Sequence, residues 1–228
     1  GTLTQTTTVE APLTLVDENG ETIVVDSTQV SVSAESINVT LPMLKTEKLS
    51  FRFEFLNVPG SFNTESLAYT LSAESITVAA PVESINKYSD IFLGYIDMRN
   101  ITKGTSTFLF EVDLPEGFVN MENINFVEVN FDLTNYTEQT FYAKNFITTT
   151  IPVSYNVKIN ARQLEVMLIG PAEVLQELSS DDIVVEVDLS DRDIVAGQYL
   201  IAFRVVIPNH EDVWAEGSYT GAVTVTAR

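Results

Sequence analysis

Phe126-Val127-Glu128-Val129-Asn130-Phe131-Asp132-Leu133 alternates apolar and polar side chains, so Val127, Val129, Phe131 and Leu133 fall on one face of an extended chain. That is the pattern of a half-buried antiparallel strand. Gln29-Val30-Ser31-Val32-Ser33 and Ser50-Phe51-Arg52-Phe53-Glu54-Phe55 repeat it, and residues 107–114, 183–189, 200–207 and 222–226 read as strands rich in Val, Ile, Phe, Thr and Tyr. The expected fold class is mainly β. Asp17-Glu18-Asn19-Gly20 predicts a hairpin between residues 13–16 and 22–25, with Gly20 supplying a positive φ. Pro115-Glu116-Gly117 and Pro208-Asn209 predict strand ends, while Gly104, Gly197 and Gly221 mark bulges or turns beside strand starts.

The 228 residues are 45% apolar and 19% charged, enough to bury one large core or two small ones. Twelve Lys and Arg against 32 Asp and Glu give a net charge of -20 and a pI near 4.1. Such a surface repels phosphate backbones and anionic headgroups, which excludes nucleic acid as a partner and disfavours adsorption to lipid. Without cysteine there is no disulfide framework, thiolate zinc site or cysteine nucleophile. Apolar runs such as Val166-Met167-Leu168-Ile169 are far shorter than the roughly 18 residues of a membrane-spanning helix. The start Gly1-Thr2-Leu3 lacks Met and a signal-like stretch, so a chain that begins inside a longer protein is expected, with Gly1 a cloning remnant and any membrane anchor upstream.

One stretch departs from the strand pattern. Pro171-Ala172-Glu173-Val174-Leu175-Gln176-Glu177-Leu178 predicts two helical turns with Val174, Leu175 and Leu178 on one face, and Pro81-Val82-Glu83-Ser84-Ile85-Asn86-Lys87-Tyr88 is a weaker version. These two stretches belong to an internal repeat of about 90 residues, the size of a small domain. Pro59 precedes Pro152 by 93 positions, Ile76-Thr77-Val78 precedes Val166-Met167-Leu168 by 90, and Pro81 precedes Pro171 by 90. Residues 92–98 match 183–189 at a spacing of 91, while Gly104 with Gly197 and Pro115 with Pro208 are both 93 apart. Ile37-Asn38-Val39-Thr40-Leu41 repeats the alternation of residues 125–133 ahead of a Lys-containing link, as if a further copy ended there. The expected domains are therefore 1–44, the end of an incomplete repeat, then whole repeats at 45–134 and 135–228.

These residues resemble the YbbR-like domain family. The resemblance is carried by Leu15-Val16-Asp17-Glu18-Asn19-Gly20, the strand Glu35-Ser36-Ile37-Asn38-Val39-Thr40-Leu41-Pro42 and the link Lys45-Thr46-Glu47-Lys48. The last copy adds Gly170-Pro171, Val185-Glu186-Val187-Asp188-Leu189-Ser190, Gly197 and Ala222-Val223-Thr224-Val225. The first whole copy departs from it, with Ala80-Pro81 for Gly-Pro and Ile96-Asp97-Met98-Arg99 for Val-Asp-Leu-Ser. The resemblance implies tandem elongated β-rich modules, each with a short helix, held outside the bacterial cytoplasmic membrane by an upstream helix. It further implies a non-enzymatic regulator partnering a membrane-bound diadenylate cyclase and adjusting cyclic di-AMP synthesis. It supplies no catalytic, cofactor or metal residues.

The residues themselves point to chemistry only weakly. The sole histidine, His210, stands in Pro208-Asn209-His210-Glu211-Asp212, where a solvated turn residue is expected rather than a general base. Asp181, Asp182, Asp188, Asp191 and Asp193 cluster as calcium ligands can, but lack the glycine bend and terminal Glu of an EF-hand, so a solvated acidic loop is expected. Asn38, Asn100 and Asn135 open Asn-x-Ser/Thr sequons, read as chance in a bacterial chain. Trp214 is expected to be a strand residue buried against the helix. The chain thus reads as an extracytoplasmic interaction module with no catalytic residue, cofactor or metal. The runner-up is a cell-surface array of immunoglobulin-like adhesion or spacer modules, and the third reading a calcium-dependent carbohydrate-binding module.

Overall fold

The computed structural model describes residues 6–24, 31, 33–149, 154–189 and 195–228. The predicted strand at 29–33 lies mostly outside them, as do Pro152, Ser190, Asp191 and Asp193. The protein is mainly β, as expected. In chain order the strands are β1 (Thr7–Pro12), β2 (Ser36–Leu41), β3 (Leu44–Leu56), β4 (Tyr69–Leu71), β5 (Ser75–Pro81), β6 (Asp90–Asp97), β7 (Thr107–Glu111), β8 (Val119–Asn120) and β9 (Phe126–Phe131). They continue with β10 (Tyr136–Ala143), β11 (Asn145–Thr149), β12 (Tyr155–Ile159), β13 (Leu164–Pro171), β14 (Val184–Asp188), β15 (Gly197–Val206), β16 (Trp214–Ala215) and β17 (Tyr219–Ala227). Two helices, α1 (Val82–Ile85) and α2 (Ala172–Glu177), follow β5 and β13. Among the described residues no helix is long and apolar enough to cross a membrane.

By contact the chain falls into two units, Gly1–Ser50 with Ser75–Ile91 and Asp113–Ile124, and Phe51–Glu74 with Phe92–Val112 and Asn125–Arg228. In the first unit β1 and β2 form a two-stranded antiparallel sheet with Thr7 opposite Leu41, and the start of β3 pairs with β5, which pairs with β8. In the second unit β10-β13-β16 is antiparallel, β9 lies between β4 and β7, and a five-stranded sheet runs β11-β14-β15-β17-β12. That sheet is mixed, because β11 pairs with β14 in parallel, unlike the all-antiparallel sheets of an immunoglobulin sandwich.

Two segments of the chain share features of strand register. Leu44 faces Pro81 and Tyr136 faces Pro171; Val78 faces Asn120 and Leu168 faces Ala215. Both prolines have nearly the same backbone, φ -54 and ψ 138 for Pro81 and φ -57 and ψ 139 for Pro171. Each caps its helix from one position outside, rather than standing in the first turn as predicted, because an extended ψ ends the strand while the fixed φ presents the next residues for helix. Six residues make α2 shorter than the predicted two turns, since Leu178 returns to extended backbone at ψ 135. Leu175 and Leu178 are buried there, and Val174 packs beside them.

Two predicted features take another form. Among the described residues the hairpin predicted at 13–25 has one bridge, Val16 to Thr22, around a turn in which Gly20 has φ +84 and the Asp17 carboxylate accepts from the Asn19 and Glu21 N–H groups. Its apolar residues Leu13, Leu15, Val16 and Ile23 stay exposed, so no burial extends the ladder. Gly221 lies inside β17 rather than at a bulge, and the reason is a ring: a Cβ there would run into the Phe203 ring at Cε2 and Cζ. The cores follow the alternation, with Val127, Val129, Phe131 and Leu133 buried, and Val223 and Val225 buried beside Val185 and Val187.

Candidate functional site

Trp214 stands in a buried aromatic constellation of the second unit. Strand β16 holds it opposite Ile169, and the ring is fully buried. Its partners are not the helix, as the sequence reading expects, but residues far away in sequence. Phe62 meets the indole edge-on at 5.5 Å, Tyr136 packs at 5.3 Å, and the indole N–H donates to the Ile101 carbonyl at 2.9 Å. Phe131, Leu133, Met98 and Ile169 complete this core, so residues on both sides of position 134 share it. Desolvation first and the Asp212 charge second raise the Tyr136 phenol above its ordinary pKa.

Beside this core lies a cavity of about 200 Å³ lined by Asn57, Met98, Arg99, Arg204, Trp214 and Tyr219, among others. The turn at Asn57 needs a left-handed backbone, φ +54, which asparagine tolerates better than most residues. The Asn57 amide donates to Asp97 Oδ2 at 2.8 Å. Arg99 Nε donates to Asp97 Oδ1 at 2.9 Å and Nη2 to Oδ2 at 2.5 Å, while the Arg99 N–H caps the same carboxylate at 3.0 Å. The Arg99 guanidinium holds the Asp97 carboxyl below its ordinary range, against the opposing effect of burial. Arg204 faces Glu186 at 3.7 Å. Each guanidinium therefore has a carboxylate of its own, and the cavity offers shape without excess charge.

The residues singled out by sequence are scattered. His210 sits half-buried in its turn, where its N–H meets the Ile207 carbonyl at 3.4 Å. Asp182 acts as a cap: its carboxylate accepts from the Ser179 hydroxyl at 2.7 Å and the Ser179 N–H at 2.8 Å, and those bonds hold its pKa below the ordinary value. His210 adds a smaller pull in the same direction. Asp181 lies in the same capped turn and Asp188 ends β14, whereas Asp191 and Asp193 lie outside the described residues. Among the described residues no three His, Cys, Asp or Glu side chains converge as metal ligands. Asn38, Asn100 and Asn135 are all exposed. The sequence reading passed over Asn57, Asp97, Arg99 and Arg204, although Asp97-Met98-Arg99 places opposite charges two residues apart where the other repeat has Asp188-Leu189-Ser190.

No protein-family model matches the chain, and no curated protein matches it. A solved structure does. It is a YbbR-like protein. That protein, from Streptococcus pneumoniae, is 13% identical to this chain, with a TM-score of 0.32 over 82% of this chain and 97% of its own.

Proposed function

We propose that this chain is a non-enzymatic interaction module of a membrane-anchored, extracytoplasmic bacterial regulator whose partner is a membrane-bound diadenylate cyclase. The reading rests on the YbbR-like resemblance of the sequence, and the hydrogen bonding of several acidic side chains fits its non-enzymatic part. Asp17, Asp97, Glu122, Asp132 and Asp182 are all made more acidic, by backbone N–H groups, by hydroxyls or by Arg99. These carboxylates cap turns and tie strands, as Glu122 does by accepting from both the N–H and the hydroxyl of Thr77.

What such a chain offers a partner is surface. A strongly acidic charge selects against phosphate-rich and anionic partners, and sheet edges such as β12 present backbone groups to a protein strand. Regulation of a cyclase then follows from binding its active and inactive states with different affinity. The test is co-purification of the full-length native protein with a membrane diadenylate cyclase, together with cellular cyclic di-AMP measured after deletion of its gene. Joint recovery and an altered nucleotide level are expected; separate elution with an unchanged level would refute the assignment.

A further inference from the structure

The β1-β2 sheet carries an apolar face whose counterparts elsewhere in the chain are covered. Leu41 and Leu133 each lie three residues ahead of the strand residue that faces a helix-capping proline, Leu44 opposite Pro81 and Tyr136 opposite Pro171. This fixes the equivalence of β2 with β9: Val39 corresponds to Phe131 and Leu41 to Leu133. The register extends it to β17: Gly197 faces Val225 as the β7–β9 register, continued, sets Gly104 opposite Leu133, so the same places are Val223 and Val225. At Phe131, Leu133, Val223 and Val225 these positions are 0–6% exposed; in β2, Val39 is 37% and Leu41 is 43% exposed. Ile37 and Val9, which lie on the same face, are 47% and 46% exposed.

The covering residues in the whole copies come from their own earlier halves. Phe131 packs against Phe53, Phe55 and Tyr69, in a core with Met98 and Ile101. Val223 and Val225 share a core with Leu168, Ile183, Val185 and Val187. The edges agree. β4 lies along β9 and β12 along β17, whereas among the described residues the sheet that holds β2 has two strands. A two-stranded sheet with an open apolar face has marginal stability in water.

We infer that β1 and β2 are the closing strands of a third module and that their apolar face seats that module's N-terminal half. One strand of that half lies antiparallel along the edge of β2 away from β1, in the place of β4 and β12, and its apolar side chains cover Val9, Ile37, Val39 and Leu41. This inference stands on register and burial alone and does not depend on the cyclase reading.

The experiment rebuilds the module on the full chain. Residues 44–104 are copied directly ahead of Thr8 in one protein and residues 136–197 in a second, and amide exchange is followed in both beside the parent. Protection of the Val39 and Leu41 amides should rise at least tenfold in one or both grafts, and Val39→Lys in the graft should abolish the gain. Parent-like exchange at these amides in both grafts would overturn the inference. So would self-association of the parent in sedimentation that Val39→Lys removes, because a second copy would then be the natural cover.

Discussion

Replacing Trp214 tests whether the chain on either side of position 134 is held by one core. Trp214→Ala removes a fully buried indole that packs on Phe62 and Tyr136 and leaves the Ile101 carbonyl without its donor. Truncating a buried aromatic side chain to alanine costs about 3–5 kcal/mol, cavity included. For a chain of this size that lowers the melting temperature by roughly 6–20 °C. Trp214→Phe keeps most of the ring volume and loses the hydrogen bond, so its cost should be about 1–3 kcal/mol, mostly the unpaired Ile101 carbonyl. Urea unfolding followed by far-UV circular dichroism measures both variants, and exchange of the amides in residues 96–101 locates the loss. The expected result is a lower midpoint with faster exchange at residues 96–101, more than 80 positions from the substitution in sequence. A loss below about 1 kcal/mol for Trp214→Ala, at unchanged denaturant slope, would refute the shared core.

Gly221→Val forces a side chain into the Phe203 ring and should cost about 1–3 kcal/mol by overpacking, with Phe203→Ala in the same chain relieving the clash in thermal melts. The Asp97 carboxyl is more acidic folded than unfolded, so the stability it contributes is present above its unfolded pKa of about 4 and is lost as pH falls through the lower folded value. Asp97→Asn should therefore cost on the order of 1 kcal/mol at neutral pH, allowing for solvent screening at Arg99, and should flatten the fall of the urea midpoint between pH 5 and pH 2. Equal shifts in parent and variant across that range would remove Asp97 as the source. Calcium should raise the melting temperature no more than magnesium at equal ionic strength, because the Asp182 carboxylate is already engaged by Ser179; a calcium-specific increase would reopen the acidic loop.

Alternation and punctuation made the strands legible. Val127, Val129, Phe131 and Leu133 are buried as a period of two requires, and the prolines at positions 81 and 171 end strands where the repeat spacing placed them. Less local features were hidden. Strand β10 reads Tyr-Thr-Glu-Gln-Thr-Phe-Tyr-Ala, with only Phe141 and Ala143 fully buried, so its place in the sheet comes from pairing with β13 and not from its own pattern. The parallel partnership of β11 with β14 has no local signature at all. Burial of Trp214 follows from how apolar its ring is, but its partners do not, since its hydrogen-bond acceptor lies 113 residues upstream. The polar cluster of Asn57, Asp97 and Arg99 was hidden for a similar reason, since Asn57 meets the other two only once β3 and β6 have formed.

The indole buried between Phe62 and Tyr136 also changes what the peptide link near residue 134 has to do. Where two stretches of chain are joined by packing and by a hydrogen bond inside that packing, the covalent bond between them is a convenience of synthesis and not the thing that holds them. A nick at the exposed Thr134–Asn135 bond should leave the pieces bound to one another, and the same position is a natural opening for new termini or an inserted reporter.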